Sequence, residues 1–347
     1  MPPLVDIHQE IHNHADDLTK VVELLTNQQH RNDAVDVAKQ TSSGKEWMPD
    51  GWLPLHHALW WWCGSGGGGR GRRRTATKGV YDLVRLLIEL YPEGVLTKDG
   101  NSGCLPIHLM TTMMISPDDK DQKNSDDEEY VQTLRLLLEQ QPQSVQEPNN
   151  QNGCGWLPLH YAAAYGNVPA TKVLLEAYPE GAYVEAADGS GWLPIHAVCG
   201  YSTYYTSTNN GSFHVLRCLL QEHPEGARHT TIDGNLPIHL ALQQSQQYHN
   251  NATTNTIPFL SLAGHQDEPD DDDDNNDNKN DEPWMLEMVR LLVESYPESP
   301  HVRNNDGKLP KDVMGGNFVV SNDVQEYIRK QSLGCTCCMF SFDCIGL

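Results

Sequence analysis

Five histidines, His56, His108, His160, His196 and His239, close five copies of one tetrapeptide: LPLH at 53–56 and 157–160, and LPIH at 105–108, 193–196 and 236–239. Recurring imidazoles are candidates for metal binding and for general acid–base work. Their spacing argues against both. Packed helices lie about 8–10 Å apart, too far for neighbouring copies to share an ion whose ligand bonds are about 2 Å long. The expected role is structural, with each ring hydrogen-bonded to backbone at a helix start. No GxSxG, HExxH, P-loop or dinucleotide fingerprint accompanies them. Neither catalysis nor a cofactor or metal is expected.

The remaining reactive residues are cysteines. Of nine, Cys63, Cys104, Cys154, Cys199 and Cys218 stand isolated within the repeats, unlike a secreted disulfide framework, which predicts a reducing, cytoplasmic setting. The other four lie in SLGCTCCMFSFDCIGL at 332–347. Cys344-Ile345-Gly346-Leu347 has the C-a-a-X form associated with geranylgeranylation, and Cys335, Cys337 and Cys338 upstream are acylation candidates. Two lipids would anchor the chain stably where one anchors it marginally. Against this, Gly346 is not aliphatic and only Arg329 and Lys330 supply basic help. A zinc site would need better-spaced ligands, and an unmodified tail is the plain alternative. The N-terminal MPPLVDIHQEIHNH is polar, and no apolar run approaches the roughly 18 residues of a membrane span.

Charge narrows the partners. The formal net charge of −23 argues against general nucleic-acid binding, so the basic run RGRRRTATK at 70–78 reads as a solvated loop before it reads as a nuclear-import patch. The Asp270–Asp274 run lacks the Gly and terminal Glu of a calcium loop and reads as a spacer. Tryptophan offers two readings. Trp52, Trp156 and Trp192 precede LP in three copies, where the others carry Cys104, Asn235 and Lys308. Either they form an aromatic ladder that anchors a partner, or each ring packs against the next repeat. In Trp60, Trp61 and Trp62, helical geometry cannot bury three successive side chains on one face, so at least one ring faces an insert, a partner or solvent.

The elements that must position these residues follow from the stretch 153–188. Proline is tolerated in a helix's first turn, so LPLHYAAAYG predicts a short helix starting near Pro158 and stopped by Gly166 and Asn167. A second helix begins near Val168, with Val173, Leu174 and Ala177 at helical spacing, and ends near Tyr178 because Pro179 follows. Pro-Glu-Gly is turn chemistry, and the Gly-, Ala- and Asp-rich remainder returns the chain. The second-helix ending recurs as LLIELYPEG at 86–94, LLLEQQPQS at 136–144, LLQEHPEG at 219–226 and LLVESYPES at 291–299.

This unit resembles an ankyrin repeat, whose first helix opens T-P-L-H-x-A. Leu157-Pro158-Leu159-His160-Tyr161-Ala162 matches except at the first residue, and the resemblance extends through helix pairs over nearly the whole chain. Two departures stand out. Leu replaces Thr, removing a hydroxyl that helps fix the helix start, and the second helix ends at Pro. The unit is also longer, since Leu193 follows Leu157 by 36 residues against about 33 in the family.

The resemblance implies an all-α helix-turn-helix solenoid of about seven pairs with turn or hairpin connections, the end pairs degenerate. Residues 1–46 form an N-terminal cap with a helix over Asp17–Gln29, and residues 47–331 form the array. Inserts fall near 63–79, 115–129, 202–212 and 247–283, all between the two helices of a unit, and 332–347 form a tail. The implied function is a non-catalytic protein-interaction module, a monomeric scaffold or adaptor for protein partners. A lipid-anchored adaptor that associates with membrane through its tail, and a regulatory subunit of an enzyme, stay open as alternatives.

Overall fold

The computed structural model describes residues 6–14, 17–27, 34–43, 50–62, 79–100, 103–112, 126–149, 154–201, 211–250, 283–313 and 322–332. Its helices are α1 (Ile7–Asn13), α2 (Thr19–Thr26), α3 (Ala34–Ala38), α4 (Pro54–Trp62), α5 (Val80–Leu90), α6 (Pro106–Thr111), α7 (Asp126–Gln140), α8 (Pro158–Ala164), α9 (Val168–Ala177), α10 (Pro194–Tyr201), α11 (Gly211–Glu222), α12 (Pro237–Asn250), α13 (Pro283–Ser295), α14 (Pro310–Val313) and α15 (Asn322–Ser332). Apart from α3 they form seven antiparallel pairs. The first helices stack in the order α1, α4, α6, α8, α10, α12, α14 and the second helices as α2, α5, α7, α9, α11, α13, α15. The result is an all-α, two-layer solenoid with one continuous apolar core, as expected where each pair buries its face only against its neighbours.

The clean unit shows why these residues fold this way. Leu157 is extended, Pro158 occupies the first helical position of α8, and residues 158–164 are all buried. Gly166, at φ +63°, reverses the chain. Asn167 then caps α9, its side-chain oxygen accepting the Ala170 N–H at 3.0 Å. The last residue of α9 is Ala177, and Pro179 opens not a simple turn but a short 3-10 turn, Pro179–Tyr183, closed by the Gly181 N–H on the Tyr178 carbonyl. The same 3-10 turn follows α5, α7 and α11, and a shorter one follows α13.

Between units the chain makes a narrow hairpin. The N–H of Asp99, Asn149, Ala186, Thr231 and Asn304 donates to the carbonyl of Cys104, Trp156, Trp192, Asn235 and Lys308, at 2.8–3.0 Å. Neighbouring hairpins are tied side by side, through Ala187 N–H to Gly155 O, Ile232 N–H to Ser190 O and Asn305 N–H to Asp233 O. These tips and the first helices share one side of the solenoid.

Several boundaries differ from the sequence expectation. The N-terminal region holds α1 and α3 besides α2, which is shorter than Asp17–Gln29. Asp6 caps α1 by accepting the Gln9 N–H, and Ile7 and Ile11 are buried against the array. Asp126, Asp127, Glu128 and Glu129 belong to α7 rather than to an insert, as suits acidic residues at a positive helix end. Helix α11 begins at Gly211, and α12 continues to Asn250 through a Gln-rich stretch of adequate helix formers. Among the described residues no helix is long and apolar enough to cross a membrane.

Candidate partner-binding site

The five histidines share one geometry. The imidazole Nδ1 accepts the N–H of the leucine three residues earlier: Leu53 to His56, Leu105 to His108, Leu157 to His160, Leu193 to His196 and Leu236 to His239, at 3.0–3.2 Å. With Nδ1 an acceptor, the neutral ring carries its proton on Nε2. From there it reaches the next unit: His160 bonds the Trp192 carbonyl, His196 the His229 carbonyl and His239 the Lys308 carbonyl, at 3.0–3.3 Å. In His56 and His108 the same nitrogen is buried and makes no hydrogen bond among the described residues. Burial pushes His108 and His196 down to about 3, His56 and His160 down to about 4, and lowers His239. Each ring therefore caps its own helix, and His160, His196 and His239 also tie it to the following hairpin. Asp312 takes this place in the last copy, where its carboxylate accepts the Leu309 N–H at 3.0 Å.

The tryptophans fall into two environments. Trp52 and Trp156 are buried, at 1% and 4% exposure, so their rings pack between units. Trp192 is partly buried. Trp156 stacks on Trp192 with centroids 6.4 Å apart, and Tyr201 meets both, at 5.3 and 5.4 Å. Gly200 makes room for the Trp192 ring, since a Cβ there would sit 2.6 Å from it. Trp60 is partly buried and packs edge-on against Trp52 at 5.6 Å. The side chains of Trp61 and Trp62 lie outside the described residues. So do Cys335, Cys337, Cys338 and Cys344, together with the basic and acidic runs.

Past Trp192 the stack stops, because the next unit carries Asn235 where a tryptophan would continue it. The space left is a cavity of about 220 Å³ lined by Trp192, Gly200, Tyr201, Thr231, Asp233, Asn235, Leu240 and Gln243. Its walls are two first helices, α10 and α12, and the two hairpins between them. On the adjoining tip Ile232 is 69% exposed, at a place held by Ala187 and Asn305 in the neighbouring hairpins. Sequence reading singled out Trp192 but missed Gly200, Tyr201, Ile232, Asp233 and Gln243. The signal was present: Asn235 breaks a Trp register, and Ile232 is an apolar residue on an otherwise small or polar tip.

Residues 127–175 match a family model described as ankyrin repeats (many copies). They run from α7 through the 3-10 turn Pro142–Gln146 and α8 into α9, so the match holds a whole first helix with most of both neighbouring second helices. With the same pair recurring along the array, this is an ankyrin repeat protein, and the family points to a protein–protein interaction module. No curated protein matches the chain.

Proposed function

We propose that the chain is a non-catalytic, monomeric adaptor that holds a segment of a partner protein on the side built from the hairpin tips and first helices, centred on Trp192 and Tyr201. The observation that carries this reading is the concurrence there of a cavity, two partly buried aromatic rings and the exposed Ile232. Exposed large hydrophobic side chains are few among the described residues, Val35, Tyr183 and Ile232, and only Ile232 adjoins a cavity whose rings can serve as anchors. The opposite side is built from second helices with charged outer faces, such as Glu139 and Lys172.

The test is site-specific photo-crosslinking in cells. A photoreactive residue at 232 or 243 should yield a discrete protein adduct, whereas the same residue at 172 on α9 should not. Adducts arising only from position 172 would place binding on the other face and sink the proposal.

A further inference from the structure

We propose that the cavity beside Trp192 takes the guanidinium of an arginine side chain presented by the partner segment. The proposal rests on the preceding reading and names the chemistry that reading would use. Its starting point is the broken aromatic register. Trp156 covers one face of Trp192 with an interplanar angle of 26°. On the other side Asn235 is too short to do the same, so a planar group entering the cavity would lie on Trp192 as a further tryptophan would have done. A planar guest is thus favoured, either an aromatic ring or a guanidinium.

Charge decides between them. Asp233 lines the cavity from an exposed hairpin tip, and among the described residues its carboxylate has no hydrogen-bond or ion-pair partner. The Asn235 Oδ1 accepts one bond from the Asn304 side-chain amide at 2.8 Å, and the charged carboxylate of Asp233, with Gln243 beside it, is the strongest acceptor the lining offers an incoming donor. A guanidinium stacks on an aromatic face and offers a carboxylate two N–H groups at once. A neutral ring would leave that carboxylate unanswered. A lysine ammonium is a compact, strongly hydrated charge that gains less from stacking. An anion would meet both Asp233 and a chain of net charge −23. The cavity of about 220 Å³ admits one side-chain head and a few waters, not a folded element.

The experiment uses the full chain, labelled with ¹⁵N at its tryptophan indoles, the Trp192 signal being identified by its loss in Trp192→Phe. A short Gly/Ser peptide carrying one central arginine is titrated into the millimolar range appropriate to a single side-chain contact. The Trp192 indole signal should shift and saturate. The citrulline peptide, which is planar and nearly isosteric but neutral, should bind on the order of tenfold more weakly, with lysine between the two. Asp233→Asn, a change on an exposed tip, should bring the arginine peptide down to the citrulline level. Equal binding of arginine and citrulline, indifference to Asp233→Asn, preference for an aromatic or acidic peptide, or no shift at all would each overturn the proposal. If crosslinks nevertheless form at 232 and 243, the arginine assignment alone has failed; if these too are absent, the binding face has failed with it.

Discussion

At Leu157 a helix begins without the side-chain oxygen that a threonine would bring, and His160 supplies the acceptor instead. The exchange brings the repeat two gains: Leu157 and its counterparts fill the core, being 0–4% exposed, and the ring's second nitrogen reaches the next unit. The structural role of these histidines was readable from their spacing, but the inter-repeat bond was not, because its acceptor belongs to a hairpin more than thirty residues away. His160→Ala should cost roughly 2–4 kcal/mol, since it opens a cavity, strands the Leu157 N–H and leaves the Trp192 carbonyl only its bond from the Ala186 N–H; urea denaturation measures it, and a loss under about 1 kcal/mol would contradict the bonding scheme. The 3-10 turns make a complementary case. Where PEG units carry glycine, the PQS and PES copies carry Ser144 and Ser299, both buried with a hydroxyl that has no partner. Ser144→Ala keeps the Cβ and removes the unpaired group, so it should stabilise the fold by about 1 kcal/mol. A lower denaturation midpoint would show that the hydroxyl is satisfied in solution.

The hairpins matter more to the array than their length suggests, because each touches the next through backbone. Gly155 adopts φ +58°, and a Cβ there would lie 2.6 Å from the backbone nitrogens of Ala187 and Asp188. No side-chain rotation relieves such a contact. Gly155→Ala should therefore cost roughly 2–3 kcal/mol and raise amide exchange in the adjoining hairpin around Ala187, whose N–H donates to the Gly155 carbonyl at 2.9 Å. Unchanged exchange at Ala187 would rule out that coupling. Helix pairs were the readable part of the sequence, since LP starts and Pro-Glu-Gly ends bracket them on both sides. The unforeseen elements, α1 and α3, lack those brackets and are fixed by tertiary packing on α4 and α5. The cavity beside Trp192 was half readable for the same reason. The register break beside it, Asn235 after Trp156 and Trp192, stands in the sequence, whereas Tyr201 and Gln243 reach it only through the stacking of α10 on α12.

Over the whole molecule, a chain of net charge −23 is stitched together by neutral histidines in consecutive units, and acid acts on these two features in opposite directions. Protonation lowers the net negative charge and relieves self-repulsion, which favours the compact state. The buried rings respond the other way. In the unfolded chain they titrate near 6.5, whereas in the fold they are held down at about 3 to 4. Between those values the unfolded chain binds more protons, so the stability present above pH 6.5 is lost as pH falls, by up to about 1.4 kcal/mol per pH unit for each ring. Salt separates the two effects, because it screens exposed charges and leaves buried groups nearly untouched. At high ionic strength the urea midpoint should fall steadily from pH 7 to pH 5, more steeply than at low ionic strength, where relief of repulsion offsets part of the loss. Units in such an array lean on their neighbours, so the transition should remain a single one rather than split by repeat. A midpoint that stays flat or rises on acidification in high salt would mean that the rings accept protons without giving up their backbone bonds, and the bonding scheme that ties helix starts to the following hairpins would be wrong.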